Sequence, residues 1–174
     1  WSGREEPAKA PEQQAWSGTE DFGGAEGAAG LHDNWDDPDG YYRVMLGEKL
    51  QQRYQIFAIL GRGIFATVVR ARDLQQNGRE VAIKIARRQE TMYKAGMKEI
   101  SILQRLSEAD PDNKMFIVHF FTHFEHRGHL CMVFESLGLN LREIVKRFGK
   151  DVGLNLQAVK TYTKQMLLAL ALLR

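Results

Sequence analysis

The run Ile59-Leu60-Gly61-Arg62-Gly63-Ile64-Phe65-Ala66-Thr67-Val68-Val69, followed after a turn by Val81-Ala82-Ile83-Lys84, decides how this chain is read. A glycine-bearing turn lies between two β-branched runs, and the next strand carries one lysine. Glycines at 61 and 63 let backbone N–H groups approach phosphate oxygens with no Cβ in the way, and Lys84 brings a point charge to the same oxygens. The stretch therefore reads as a phosphate cover plus a phosphate anchor. A Walker loop is excluded because no Gly-Lys-Ser/Thr closes it. A dinucleotide-binding loop would open a helix, yet here Thr67-Val68-Val69-Arg70-Ala71-Arg72 continues as a strand. Glu80 lies 19 residues beyond Gly61, near the spacing of a ribose-binding acid, but it precedes its strand instead of ending it.

Outward from this stretch, period-two alternation predicts strands at 54–60, 67–73, 80–86, 116–124 and 129–135. In the third, Val81, Ile83 and Ile85 share one face, while Ala82, Lys84 and Ala86 share the other. Small residues beside the lysine leave room for a flat ligand; the alternative is a snorkelling edge lysine. Gln75-Gln76-Asn77-Gly78 is a hairpin turn. The helix read between the third and fourth strands is Ala95–Leu106, with Ile100, Ile102, Leu103 and Leu106 on one arc and Glu99 near its middle. A carboxylate on a buried face needs a cation, and Lys84 is the natural partner; a solvated helix charge is the weaker reading. The pattern predicts an antiparallel sheet of five strands with one covering helix. Later helices are read at Leu141–Phe148 and about Asn155–Leu173, the latter ending on the apolar run Met166–Leu173. That run is too short to span a bilayer and too apolar for a solvent-facing helix, so a covering surface is expected.

Charge divides the chain. The net charge of +2 combines an acidic arm, residues 1–39 with ten Asp/Glu against Arg4 and Lys9, with a basic body. Residues 1–34, rich in Gly, Ala and Glu, are expected to be disordered. The aromatic-acidic segment Trp35–Tyr42 either docks on the body or forms a solvated turn. The basic residues are scattered without dense runs or aromatic interleaving, which argues against direct nucleic-acid binding. Cys131, the only cysteine, lies in an apolar run and fits a buried strand position and a reducing, intracellular compartment. His119, His123, His126 and His129 raise a zinc site, but interleaved phenylalanines and an Arg127-Gly128 turn predict different strands and faces, so no metal site is assigned. The first residue is Trp1, and the expectation is a piece of a longer protein.

Taken together, these stretches resemble the eukaryotic protein kinases. Gly61, Gly63, Val68 and Val81-Ala82-Ile83-Lys84 match the pattern GxGxxGxV followed by VAIK, with Ala66 at the third glycine position. Trp35-Asp36-Asp37, Gly40-Tyr41-Tyr42-Arg43-Val44, Val69–Asp73, Lys98-Glu99, Ala109–Asp112, His129–Glu135, Asn140–Glu143 and Gly149–Leu154 extend the likeness to the CMGC group and, within it, to the spliceosome-associated pre-mRNA-processing serine/threonine kinases. The resemblance implies an α+β fold: a small lobe with a five-stranded antiparallel sheet and its αC helix, then the first helices of a truncated large lobe. It implies an extension at 35–53 docking on the kinase domain, the small lobe at 54–135, and the hinge and first large-lobe helices at 136–174.

The same resemblance implies that Lys84 contacts the α and β phosphates of ATP and pairs with Glu99. Gly61, Arg62, Gly63, Ile64, Phe65, Ala66 and Thr67 would cover the nucleotide. Leu60, Val68 and Ala82 would sandwich the adenine, Phe134 would back its pocket, and Glu135 to Leu137 would form the hinge. Mg²⁺ is implied as cofactor, with its ligands and the catalytic-loop aspartate beyond Arg174, so the chain alone is expected to be inactive. Protein substrates among splicing factors, a nuclear location, no membrane contact and a monomeric kinase complete the expectation. The competing expectation is a non-catalytic lobe, truncated or pseudokinase, acting as a binding module; an HxDxKPxN-like loop and DFG in the continuing reading frame would separate the two.

Overall fold

A computed structural model of the chain describes residues 35–149 and 152–174. The acidic arm read at 1–34 lies outside the described residues. Among the described residues, six strands, β1 (Lys49–Leu50), β2 (Tyr54–Arg62), β3 (Ala66–Asp73), β4 (Arg79–Ala86), β5 (Phe120–His126) and β6 (His129–Glu135), form one antiparallel sheet in the order β1-β2-β3-β4-β6-β5. The five strands read from the sequence are joined by the two-residue β1 on the edge. Turn chemistry sets the hairpins: Asn77 and Gly78 both take positive φ between β3 and β4, as do Arg127 and Gly128 between β5 and β6. β5 begins at Phe120, later than periodicity suggested, because Phe116 is held at φ 57°, outside the strand region.

One face of the sheet buries Ile56, Val69, Ala71, Val81, Ile83, Ile85, Cys131 and Val133 together with Tyr42, Leu50 and Tyr54. Among the described residues no helix covers this face. The sheet instead curls onto itself: Tyr54 of β2 stacks on Phe124 of β5, ring centroids 5.4 Å apart, although three strands separate them in the sheet. The Gln51 amide donates to the Glu125 carbonyl at 2.7 Å, tying the same seam. Aromatic stacking in a closed β core adds about 1 kcal/mol beyond burial.

The other face packs Ala86, Phe120, Leu130 and Met132 against Ile100 and Leu103 of helix α1 (Glu90–Ala109). This helix starts five residues before the expected Ala95, since Gln89 enters in an extended conformation with no side-chain cap to announce it. Its inner stripe runs through Gly96, Ile100 and Leu103, whereas Ile102, expected on the same arc, is 46% exposed.

Beyond β6, Asn140 and Glu143 form a reciprocal capping box that starts α2 (Leu141–Ile144). The chain then widens into a π-type turn, Val145–Gly149, so the single helix read at Leu141–Phe148 is two short pieces. Helix α3 (Leu156–Leu172) begins on the Asn155 side chain, which accepts from the Ala158 N–H. Its Met166, Leu167 and Leu170 are each about three-fifths exposed, 59%, 61% and 59%.

Candidate functional site

Strand register builds the site. Val68 pairs with Lys84, Lys84 with Met132, and Ala82 with Phe134, so these five side chains share the sheet face opposite the curled core. Period two places Lys84 between Ala82 and Ala86 on this face, while Ile83 and Ile85 anchor the strand in the core at 0% and 2% exposure. The lysine is thus fixed by its buried neighbours.

Across the face stands α1. Lys84 Nζ donates to both carboxylate oxygens of Glu99, at 2.7 and 2.8 Å. Glu99 lies one residue before the fully buried Ile100 and retains partial exposure, so the pair is desolvated on the sheet side and open toward the cleft. That cleft, about 220 Å³, is lined by Phe65, Lys84, Ala86, Met92, Gly96 and Glu99 among others.

Helix and sheet approach this closely because residue 96 has no side chain. A Cβ built there would lie 2.5 Å from Leu130 Cδ2, and Leu130 is itself buried. Gly96→Val is therefore expected to push α1 outward and cost about 1–3 kcal/mol, read in a thermal or urea melt. Leu130→Ala should recover part of that loss in a double-mutant cycle, and strict additivity would refute the contact.

The glycine turn behaves differently. Gly61 pairs with Val68 and Arg62 with Thr67, and Gly63 N–H donates to the Ala66 carbonyl at 2.9 Å to close a tight hairpin. Neither glycine takes a positive φ. A Cβ on Gly61 would meet nothing within 4 Å, and one on Gly63 only the Ala66 oxygen at 3.9 Å. The fold itself does not require glycine at either place, and both leave the turn open to its surroundings. Ile64 and Phe65 at the tip are 73% and 61% exposed.

Not every residue read from the sequence joins this face. Thr67 pairs with Ile85, is 6% exposed and turns to the opposite side, as alternation from Val68 demands. The Arg62 guanidinium is held by Asp37 at 2.6 Å, drawn toward the segment before the sheet. Leu60 sits at a bulge between the Ile59–Val69 and Gly61–Val68 pairs, and with Leu137 it is at least half exposed, 50% and 58%. At the exit of β6, Glu135 N–H donates to the His119 carbonyl at 3.0 Å and its side chain accepts from His119 N–H at 2.8 Å. The Leu137 carbonyl accepts from Arg70 Nη2 at 3.2 Å. Sequence reasoning missed Arg70, which alternation from Val68 and Lys84 places on the site face.

The histidines do not all diverge as expected. His126 and His129 oppose each other across the β5–β6 hairpin, and both rings meet Tyr42, at 5.7 and 5.2 Å. His119 and His123 instead pack on Phe121 and Phe120. Among the described residues no three His, Cys, Asp or Glu side chains converge on a possible metal position. Burial pushes the Cys131 thiol well above its ordinary range, so it is an inert core residue.

The arrangement is one apolar platform beside one lysine–carboxylate pair, under a turn whose glycines face open space. It suits a flat heteroaromatic group attached to a phosphate chain. Comparison with known proteins supplies the family. The serine/threonine-protein kinase prp4 of Schizosaccharomyces pombe is 53% identical over 146 residues, covering 84% of this chain and 30% of its own length. Serine/threonine-protein kinase prpf4B of Dictyostelium discoideum is 45% identical over 142 residues, 80% of this chain and 17% of that protein. Dual specificity protein kinase CLK2 of Mus musculus is 40% identical over 111 residues, 64% and 22% respectively. The chain thus spans less than a third of these relatives' length. The protein kinase domain matches residues 54–174, from the start of β2 through α3, and the chain belongs to the protein kinase family.

Proposed function

We propose that this chain is the ATP-binding part of a serine/threonine protein kinase, in which Lys84 and Glu99 hold the α and β phosphates and Gly61–Ala66 cover them. The observation that carries the proposal is the Lys84–Glu99 pair, 2.7 Å long, on the open face beneath a glycine turn whose glycines the fold does not itself need. Leu60, Val68 and Ala82 would flank the adenine, with Phe134 behind it. The Glu135 carbonyl and the Leu137 N–H would meet its polar edge. ATP supplies the phosphoryl group, and positioning with charge neutralisation supplies most of the catalysis.

In this reading residues 35–53 are an extension on the kinase domain, 54–135 the small lobe, and 136–174 the hinge and first large-lobe helices. Mg²⁺ would accompany the nucleotide, while Lys84, Glu99 and the glycine turn serve its phosphates. By resemblance to the pre-mRNA-processing kinases, the substrates are splicing proteins in the nucleus and the kinase acts as a monomer.

Purified residues 1–174 are expected to bind an ATP analogue, weakly, and to phosphorylate nothing above background, while the full-length protein phosphorylates serine or threonine in protein substrates. Strong phosphorylation by the 174-residue chain would overturn this division of labour. The exposed apolar side of α3 supports a second reading, a binding module without catalysis. That reading requires that the full-length protein, too, transfers no phosphate.

A further inference from the structure

The glycine turn does not stand alone. Residues 35–43 reverse through a turn in which Asp36 bridges to Tyr42, and they lie against the turn end of the β2–β3 hairpin. Several separate contacts run from this segment to the turn or to the strand ends beside it. The Tyr41 hydroxyl lies 3.0 Å from the Gly63 carbonyl and 2.9 Å from that of Ile64. A phenol has one proton to donate, so the two carbonyls share it, and both must sit on one side of the turn. Asp37 pairs with Arg62 at 2.6 Å. The Arg62 and Arg87 guanidiniums pack against the Tyr41 ring at 3.6 and 4.5 Å from its centroid. Arg87 also donates to the Asp39 carbonyl at 3.0 Å and the Ile64 carbonyl at 3.3 Å, and its own N–H donates to the Phe65 carbonyl at 3.1 Å.

The far end of the segment is anchored independently. His129, fully buried, has one ring nitrogen 2.8 Å from the Ala86 carbonyl and the other 2.7 Å from Asp36 Oδ1. Arg127 lies over the Trp35 ring at 3.2 Å, and the Arg88 N–H donates to the Gly40 carbonyl at 2.8 Å. Tyr41 is only 9% exposed. The segment is therefore fixed to the sheet at one end and to the turn at the other.

We propose that residues 35–43 act as a strap that sets the height of the glycine turn over the nucleotide, with Tyr41 as the positioning residue. This rests on the ATP-binding role of the same turn. A glycine turn left to itself samples many conformations, and a nucleotide must select the one whose N–H groups face the phosphates. Holding the Gly63 and Ile64 carbonyls on the strap side turns the intervening amide groups into a limited set of orientations before ATP arrives, which lowers the ordering cost of binding. Tyr41 does this through another element and touches no reacting atom.

The test is Tyr41→Phe in the full-length protein, with Asp37→Asn as a second variant. The phenylalanine keeps the ring against its two arginines and removes only the shared hydrogen bond. The KM for ATP should rise about three- to tenfold, the size of one lost hydrogen bond, with kcat within about twofold. Amide exchange at residues 61–66 should accelerate while that of β3 and β4 stays unchanged. Asp37→Asn should shift both readouts the same way by a smaller factor. Unchanged KM and unchanged exchange at 61–66 in both variants would overturn the strap, as would faster exchange throughout the sheet, which marks general destabilisation. Failure of the ATP reading itself shows separately, as nucleotide affinity indifferent to Lys84→Met.

Discussion

Lys84→Met in the full-length protein is expected to reduce phosphoryl transfer by about a hundredfold or more, the scale of losing one preorganised charge at a developing phosphate. The lysine's position makes the result interpretable. Its strand is held by Ile83 and Ile85 on the core side, neither of which the substitution touches. Methionine keeps the length of the stem and drops only the ammonium. Glu99, whose side chain is 41% exposed, then turns to water instead of remaining as a trapped charge. The melting temperature should accordingly move little, because a partly exposed pair contributes about 0–1 kcal/mol. A large activity loss with an intact melt assigns Lys84 to chemistry. Full activity in Lys84→Met would remove the ATP role, whatever the family.

The largest expected stability effect lies elsewhere, at Asp73. This carboxylate is almost fully buried and accepts from Arg53 Nε at 2.8 Å and Nη2 at 2.6 Å, with the Gln75 N–H donating to it at 3.0 Å. The residue's carbonyl takes the Gln76 and Gly78 N–H groups as well, so Asp73 organises the whole turn that feeds β4 and its lysine. Asp73→Asn leaves Arg53 without its two-point partner and should cost about 3 kcal/mol, read as a shift in the urea midpoint. The Arg53 hydrogen bonds hold the Asp73 carboxyl below its usual range, against the opposing effect of burial. A folded-state value below the unfolded one means that the contribution is present above about pH 4 and is lost as pH falls through the lowered value. The gap between wild type and Asp73→Asn should thus be constant near neutrality and close in acid. A gap that persists unchanged at pH 2 would deny the ion pair its role.

The sheet, the helix behind it and the pairing of Lys84 with Glu99 were legible because each leaves a local pattern: alternation along β4, a helical arc around Glu99, and a turn sequence between strands. Contacts between residues distant in sequence leave no such trace. Asp36 and His129 are 93 positions apart, and Tyr41 and Gly63 are 22 apart, so nothing in either neighbourhood announces the strap. The start of α1 at Glu90 was hidden for another reason, since no capping side chain precedes it. Phe116, with neither glycine nor asparagine at a left-handed position, concealed the true start of β5. Thr67 was placed in the site by its membership of a motif, yet simple alternation from Val68 already sends it to the other face.

The stacking of Tyr54 on Phe124 has a consequence for behaviour in concentrated solution. It rolls the outer strands toward one another, so that the β1 end of one rim, Lys49–Leu50 on Tyr54–Gln55, meets the other rim, where the Gln51 side chain occupies the Glu125 carbonyl. A neighbouring molecule seeking to add a strand at this seam finds the protein's own opposite rim already there, so curvature blunts edge-to-edge pairing at that corner of the sheet.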